Sequence, residues 1–354
     1  MRIIGCLIVA ACAAAATLTI ERDSARAERA GVPITAAAAP SAGDISTGAS
    51  EIELIRFAGG VIRVEFSPAD FAVSRAELHE WVRQSARATA AYFGRFPVPY
   101  VRVSFEPTRG DEVTMGRAVG RPEPRIVVTM GRRTSVQELA HESLLVHEMV
   151  HLAIPDHDIR YLWLHEGIAT YVENIARAQA GLVPAREMWG ELMRELPIGL
   201  PEPRDASGLD GTRSDGRRYW GGALFCLLAE IEIRKSTGNR LGLQDALRAL
   251  QRQGGNLSRL WTFERTLEVA DRGTGTEALS VLYRQMGNRP HAPDLERLWR
   301  ELGLSLDRGR VLLDDTAPLA AIRRAITERP SAPLLVATPK LLRVVNARVQ
   351  AAGP

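Results

Sequence analysis

An α+β fold in two lobes is what this sequence predicts. A mixed α/β lobe with a small β-sheet spans residues 51–157, an all-helical lobe spans 158–330, and a cleft lies between them. Three observations point there. Short runs alternating apolar and charged residues, bounded by glycine or proline, recur between Glu51 and Thr129. Beyond about residue 158 such runs nearly vanish, and apolar residues recur at helical spacing between Gly and Pro interruptions. The 354 residues are 45% hydrophobic and 25% charged, ordinary proportions for a globular chain with a sizeable core. They exclude a disordered polyelectrolyte, a collagen-like fibre and a multi-span membrane protein. Lys and Arg (45) barely exceed Asp and Glu (42), and the arginines are scattered along the chain, so no nucleic-acid partner is expected.

The N-terminus reads as an export signal over residues 1–27. Met1-Arg2 is a positive start, Ile3 to Ile20 is apolar or small throughout, and Ala25-Arg26-Ala27 offers a cleavage site before Glu28. Two variants stand beside cleavage. The 18 apolar residues are just long enough for a retained membrane anchor. Val9-Ala10-Ala11-Cys12 resembles a bacterial lipoprotein box, which would attach the chain through a lipidated Cys12. Each variant implies export, to the periplasm or to a membrane facing it. Cys6 and Cys12 fall within the signal, leaving Cys226 with no intrachain partner, a small buried hydrophobe by its apolar surroundings. Residues 28–50, rich in Ala, Gly, Ser and Pro, read as a flexible linker. The tail, 331–354, is unassigned.

Within the folded part, Glu51–Phe57 and Val61–Phe66 flank Gly59-Gly60 and predict a hairpin. The stripe Leu78, Trp81, Val82, Ala88 and Tyr92 predicts a helix over 74–93. Val101–Phe105 and Arg125–Thr129 read as strands. Ser135 and Glu138 form a capping box that starts a helix running past His151 and stopping by Pro155. Further helices are expected near 160–180, 184–196, 217–237, 241–253, 258–269, 275–287 and 292–302.

His147-Glu148-Met149-Val150-His151 carries the chemistry. Residues four apart stack on one helix face, so both imidazoles can meet one metal ion. Glu148 lies about 100° further round, beside the ion, where it can take a proton from a bound water. A catalytic zinc takes three protein ligands and keeps one position open. Glu166, in Trp163-Leu164-His165-Glu166-Gly167, is the candidate third ligand, because the 14 residues after His151 allow a loop and a returning helix.

Here the chain resembles the gluzincin metallopeptidases, the thermolysin-like clan. The residues that carry the resemblance are His147-Glu148-x-x-His151 and Trp163-Leu164-x-Glu166-Gly167-x-Ala169-x-Tyr171. Tyr219-Trp220-Gly221-Gly222-Ala223 and Ile233 to Gly238 are similar to the glycyl aminopeptidase family, whose catalytic part is a peptidase MA-like domain. The likeness runs over about 135–325. It implies a two-lobe zincin fold, Zn2+ held by His147, His151 and Glu166, Glu148 as general base, and Tyr219 as donor to the tetrahedral oxyanion. The implied activity is an exported zinc metallopeptidase acting on a peptide or protein substrate. Two departures stand out. His165 occupies a position where asparagine is common, and Gly116-Arg117-Ala118-Val119-Gly120 lies where the family grips a free amino terminus but lacks the acid. An aminopeptidase and a non-catalytic periplasmic zinc-binding scaffold are the rival readings.

Weaker candidates read as ordinary. His141 and the His157-Asp158 pair are expected on the solvated surface. Thr170 or Glu173 could accept the second imidazole hydrogen of a ligand histidine. Arg213, Arg217 and Arg218 could bind a substrate carboxylate or form a charged loop.

Overall fold

The computed structural model describes residues 52–329, apart from residue 58, residues 67–70 and residues 203–205. The signal, the linker, Cys6, Cys12 and the 331–354 tail lie outside the described residues.

The chain is mixed α/β, with one five-stranded sheet and eleven α-helices among the described residues. The hairpin forms as expected, β1 (Ile52–Phe57) antiparallel to β2 (Gly60–Glu65). Gly59, at φ 92°, supplies a turn conformation that a side chain would oppose. Helix α1 (Arg75–Phe93) starts at a Ser74–Glu77 capping box and ends at left-handed Gly94. It crosses to β3 (Tyr100–Thr108), parallel to β2, and β5 (Arg125–Gly131) pairs parallel to β3. No strand is expected over 113–119, yet β4 (Val113–Val119) pairs antiparallel with β5 and closes the order β1-β2-β3-β5-β4 as an edge. A bulge between Val113 and Met115 shifts its register, which hides the alternation that would announce it.

The helix after Ser135 also differs from expectation. Its capping box is present, but α2 stops at Val136–His141 and α3 runs separately over Leu144–His151. Glu142 leaves helical geometry (ψ 128°), and its Oε1 accepts the N–H groups of Ser143 and Leu144, a cap that the capping pattern at Ser135 does not reveal.

The next seven helices follow the expected order: α4 (Leu162–Ala180), α5 (Ala185–Glu195), α6 (Gly222–Ser236), α7 (Leu243–Arg252), α8 (Phe263–Thr274), α9 (Ala278–Met286) and α10 (Leu295–Leu302); α11 (Ala320–Thr327) is a further, unexpected helix. Helix α8 begins later than expected because Thr262 caps it, while Leu260 bridges to Asp156. Strands β6 (Leu304–Asp307) and β7 (Arg310–Leu313) form an unexpected hairpin. Its turn places Arg308 and Gly309 at φ 46° and 78°, and arginine is an uncommon signal for such a turn.

Two apolar clusters meet at α3. Leu145, Met149 and Leu152 pack with the sheet and α1, whereas Val146 and Val150 pack with the helical cluster around Trp163, Ile168 and Phe225. Helices α4 and α6 touch backbone to backbone, since a Cβ on Gly222 would stand 2.2 Å from the Trp163 carbonyl oxygen and 2.6 Å from Gly167 Cα. Gly222→Ala must therefore push α6 away. The expected loss is about 1–3 kcal/mol for overpacking, or a Tm lower by roughly 3–10 °C. An unchanged calorimetric Tm would show that the contact yields freely.

Candidate metal centre

Helix α3 carries His147 and His151 one turn apart, their ring centroids 4.8 Å from each other. Helix α4 brings Glu166 back against them. Its Oε2 lies 3.2 Å from His147 Nε2 and 3.5 Å from His151 Nε2. One ligand atom from each residue can be chosen with all three within 4.8 Å of one another. Two nitrogens and a carboxylate oxygen form a donor set that zinc accepts at catalytic sites. Ligands ~2.0–2.1 Å from a shared tetrahedral ion stand about 3.3 Å apart, close to the separations from Glu166. The three residues fit a zinc ion.

The neighbours orient these groups. Glu173, two turns along α4 from Glu166, places Oε2 3.0 Å from His147 Nδ1. Its carboxylate accepts the Nδ1 hydrogen, which turns the Nε2 lone pair toward the centre. Thr170 does not share this role, and its buried hydroxyl has no hydrogen-bond partner among the described residues. Burial opposes protonation of His147, but its hydrogen bonds to Glu166 and Glu173 and the charges of those carboxylates outweigh it and hold His147 well above the ordinary histidine value. For Glu166 burial works upward, and the charge of His151 with hydrogen bonds from both histidines carries it well below the carboxylate range. Each shift favours the paired, charged forms that a metal cation would replace.

Glu148 is buried, and strand β4 holds it. Ala118 donates its backbone N–H to Glu148 Oε2 at 2.6 Å. Gly116 packs so closely that a Cβ there would come within 2.6 Å of Glu148 Cγ and Oε1. Burial lifts the Glu148 carboxyl above its usual range, against the opposing pull of the two histidines. The Gly116–Gly120 segment thus meets the site through backbone atoms, a contribution that no side-chain pattern reveals.

Tyr219 approaches from the other side. It sits in a π-helical turn, Arg217–Gly221, leading directly into α6. Such turns are rare and frequent at functional sites. Its ring stacks on His147 with centroids 6.1 Å apart. Burial, then the charge of Glu166 and a hydrogen bond to it, push the phenol upward, so it keeps its proton. Of the flanking arginines, Arg213 is exposed and Arg218 pairs with Asp215, while Arg217 is buried with Nη1 3.5 Å from the Ser207 carbonyl oxygen.

His157 is a correction, since it is buried rather than solvated. Its Nδ1 lies 2.9 Å from His165 Nε2 and its Nε2 lies 2.7 Å from Thr266 Oγ1. His165 Nδ1 donates to the Pro155 carbonyl, so its Nε2 must accept. The hydrogen bonds then run one way, from Thr266 to His157 to His165 to Pro155, with both rings neutral. His165 in turn stacks beside His151, centroids 6.2 Å apart. His141 is exposed as expected, and Asp158 is exposed and caps the short 3-10 turn Ile159–Tyr161. Cys226 is buried in α6.

This chain has a pH consequence. Burial, opposed by the charge of Glu264, drops His157 to about 4. Burial together with the charges of His157 and His151 drops His165 to about 3. Unfolded histidines take up protons near pH 6.5. The unfolded state therefore binds more protons below that pH, and stability is lost as pH falls from about 6.5 toward 4. Thermal melts should show Tm falling by several degrees across this window and by less in His157→Gln. Equal slopes would remove the pair from the acid response.

No protein-family model matches the sequence. No curated protein matches it either. Among solved structures, the chain is similar to an aminopeptidase N family protein from Idiomarina loihiensis, with TM-score 0.55 and 15% identity over 72% of this chain and 49% of that one. It is also similar to an M1 zinc metallopeptidase from Deinococcus radiodurans, with TM-score 0.47 and 19% identity over 70% of this chain and 53% of that one. The chain thus spans about half the length of these structures. The first likeness shows a shared fold, that of an aminopeptidase N family protein.

Proposed function

We propose that this chain is an exported zinc-dependent peptidase, with His147, His151 and Glu166 as metal ligands and its site in a cleft between an α/β and a helical lobe. The observation that carries the reading is the convergence of those three side chains beside a buried carboxylate, Glu148, that no structural zinc site requires. When bound, the ion supplies Lewis-acid polarisation of the scissile carbonyl and a water acidic enough to lose a proton near neutral pH.

The chain's own groups do the rest. Glu148, held by the Ala118 N–H, accepts the proton of the attacking water and later delivers it to the leaving amine. Its raised pKa suits a group that must take up and release one proton per turnover. Tyr219 donates its phenol hydrogen to the developing oxyanion. Strand β4 carries no acidic residue from Val113 to Val119 and so offers no carboxylate to a free amino terminus. Peptides with blocked amino termini should therefore be cut.

The test pairs metal analysis with hydrolysis of an unfolded protein and of peptides with free and acetylated amino termini, with and without chelator. Stoichiometric zinc and chelator-sensitive cleavage of both peptide kinds are expected. Zinc without cleavage would favour the scaffold, and cleavage of free amino termini alone would favour the aminopeptidase.

A further inference from the structure

The sheet has a second face. Its buried residues, such as Ile62, Val103 and Ile126, pack with α1 and α3, whereas the residues alternating with them contribute nothing to the buried core. Register gathers on that second face arginines that are far apart in sequence. Arg63 on β2 stands opposite Arg102 on β3, which stands opposite Arg125 on β5. Arg56 on β1 and Arg117 on β4 project from the same face by strand alternation, and both are exposed.

Like charges directly across neighbouring strands destabilise a sheet. Among the described residues their one ion-pair partner is Glu65, whose carboxylate oxygens lie 2.8 Å from Arg63 Nε and 3.9 Å from Arg102 Nε. Arg56, Arg117 and Arg125 make no ion pair among the described residues. With Glu106, five arginines share this face with two glutamates, an excess equal to the formal +3 of the whole chain. A charge distribution that weakens the fold and gathers on one face is explained by a partner of opposite sign.

We propose that this sheet face docks on an anionic phospholipid surface. Apolar and aromatic side chains are interleaved with the arginines, among them Leu54, Tyr100 and 47%-exposed Met115. That mixture suits a headgroup layer, where guanidinium groups meet phosphates and apolar side chains reach inward. The strands of this face follow directly on the linker and on the apolar run Ile3–Ile20, which reads as an export signal or anchor and would deliver the chain at a membrane. Helix α3, with His147 and His151, lies on the opposite side of the sheet, so docking leaves the metal centre accessible.

The experiment is co-sedimentation of the full chain with vesicles of phosphatidylcholine alone and of an equal mixture with phosphatidylglycerol. Binding to the anionic vesicles is expected at about 0.1 M salt and should fall at about 1 M, where the screening length shortens from ~10 Å to ~3 Å. The triple variant R63Q/R102Q/R125Q should weaken it by on the order of a hundredfold, since each arginine near an anionic surface contributes severalfold. R63K/R102K/R125K, which keeps the charge, should retain it, and this separates charge from folding. Insertion by the N-terminal run would appear with both vesicle types and survive salt. Equal binding to the two vesicle types, or a glutamine variant that binds like wild type, would overturn the proposal. So would capture of the chain by heparin but not by anionic vesicles, which would assign the face to a polymeric anion.

Discussion

Glu148→Gln should bind zinc as wild type does and lose turnover by about 10²–10⁴-fold, the range for removing a positioned general base. Glutamine keeps the shape of the carboxylate and can still accept the Ala118 N–H, so β4 should stay in place and the fold with it. It cannot accept a proton at any working pH. His147, His151 and Glu166 are untouched by the change, and Glu173 still orients His147. The informative comparison is kcat against metal content in the same sample. Retained zinc with a collapsed kcat assigns the proton transfer to Glu148. Full activity would move the base elsewhere, and lost zinc would show that Glu148 helps hold the ion.

Tyr219→Phe should lower kcat about 10–10³-fold while leaving KM within a few fold, as expected when a donor acts mainly on the oxyanion. The ring would still stack on His147, because only the hydroxyl is removed. The phenol also bonds to Glu166, so the variant separates two roles. A donor to the oxyanion shows itself in kcat. A residue that only props Glu166 shows itself in weaker zinc binding, read by chelator competition. An unchanged kcat would take Tyr219 out of the reaction.

The convergence of His147, His151 and Glu166 was legible because helical geometry is local. Histidines four apart on a helix share a face wherever the helix lies, and a returning helix of fixed period delivers Glu166. The helices between 160 and 302 followed from apolar spacing for the same reason. What resisted reading was decided between distant segments. Strand β4 depends on β5 for its existence, and its part in the site is a backbone N–H that belongs to Ala118 only by register. The break between α2 and α3 turns on Glu142 satisfying two amides, one of several things a glutamate beside a serine can do. His157 looked solvated beside Asp158, and its burial is supplied by Thr266 and Phe263, more than a hundred residues away. The arginine row was invisible for the same reason, since pairing register rather than sequence spacing makes those residues neighbours.

Helix α3 is wedged between both apolar clusters, with one flank in each. Neither flank can part without opening a core, so the amides of Leu145 to Val150 should exchange with deuterium only when the whole domain opens. The strand that grips Glu148 is a sheet margin, secured on one side alone. The two imidazoles thus sit on a helix secured on both flanks, and the Glu148 carboxylate leans on a strand secured on one. Any local opening around these groups should be borne by the Gly116 side, with His147 and His151 standing still.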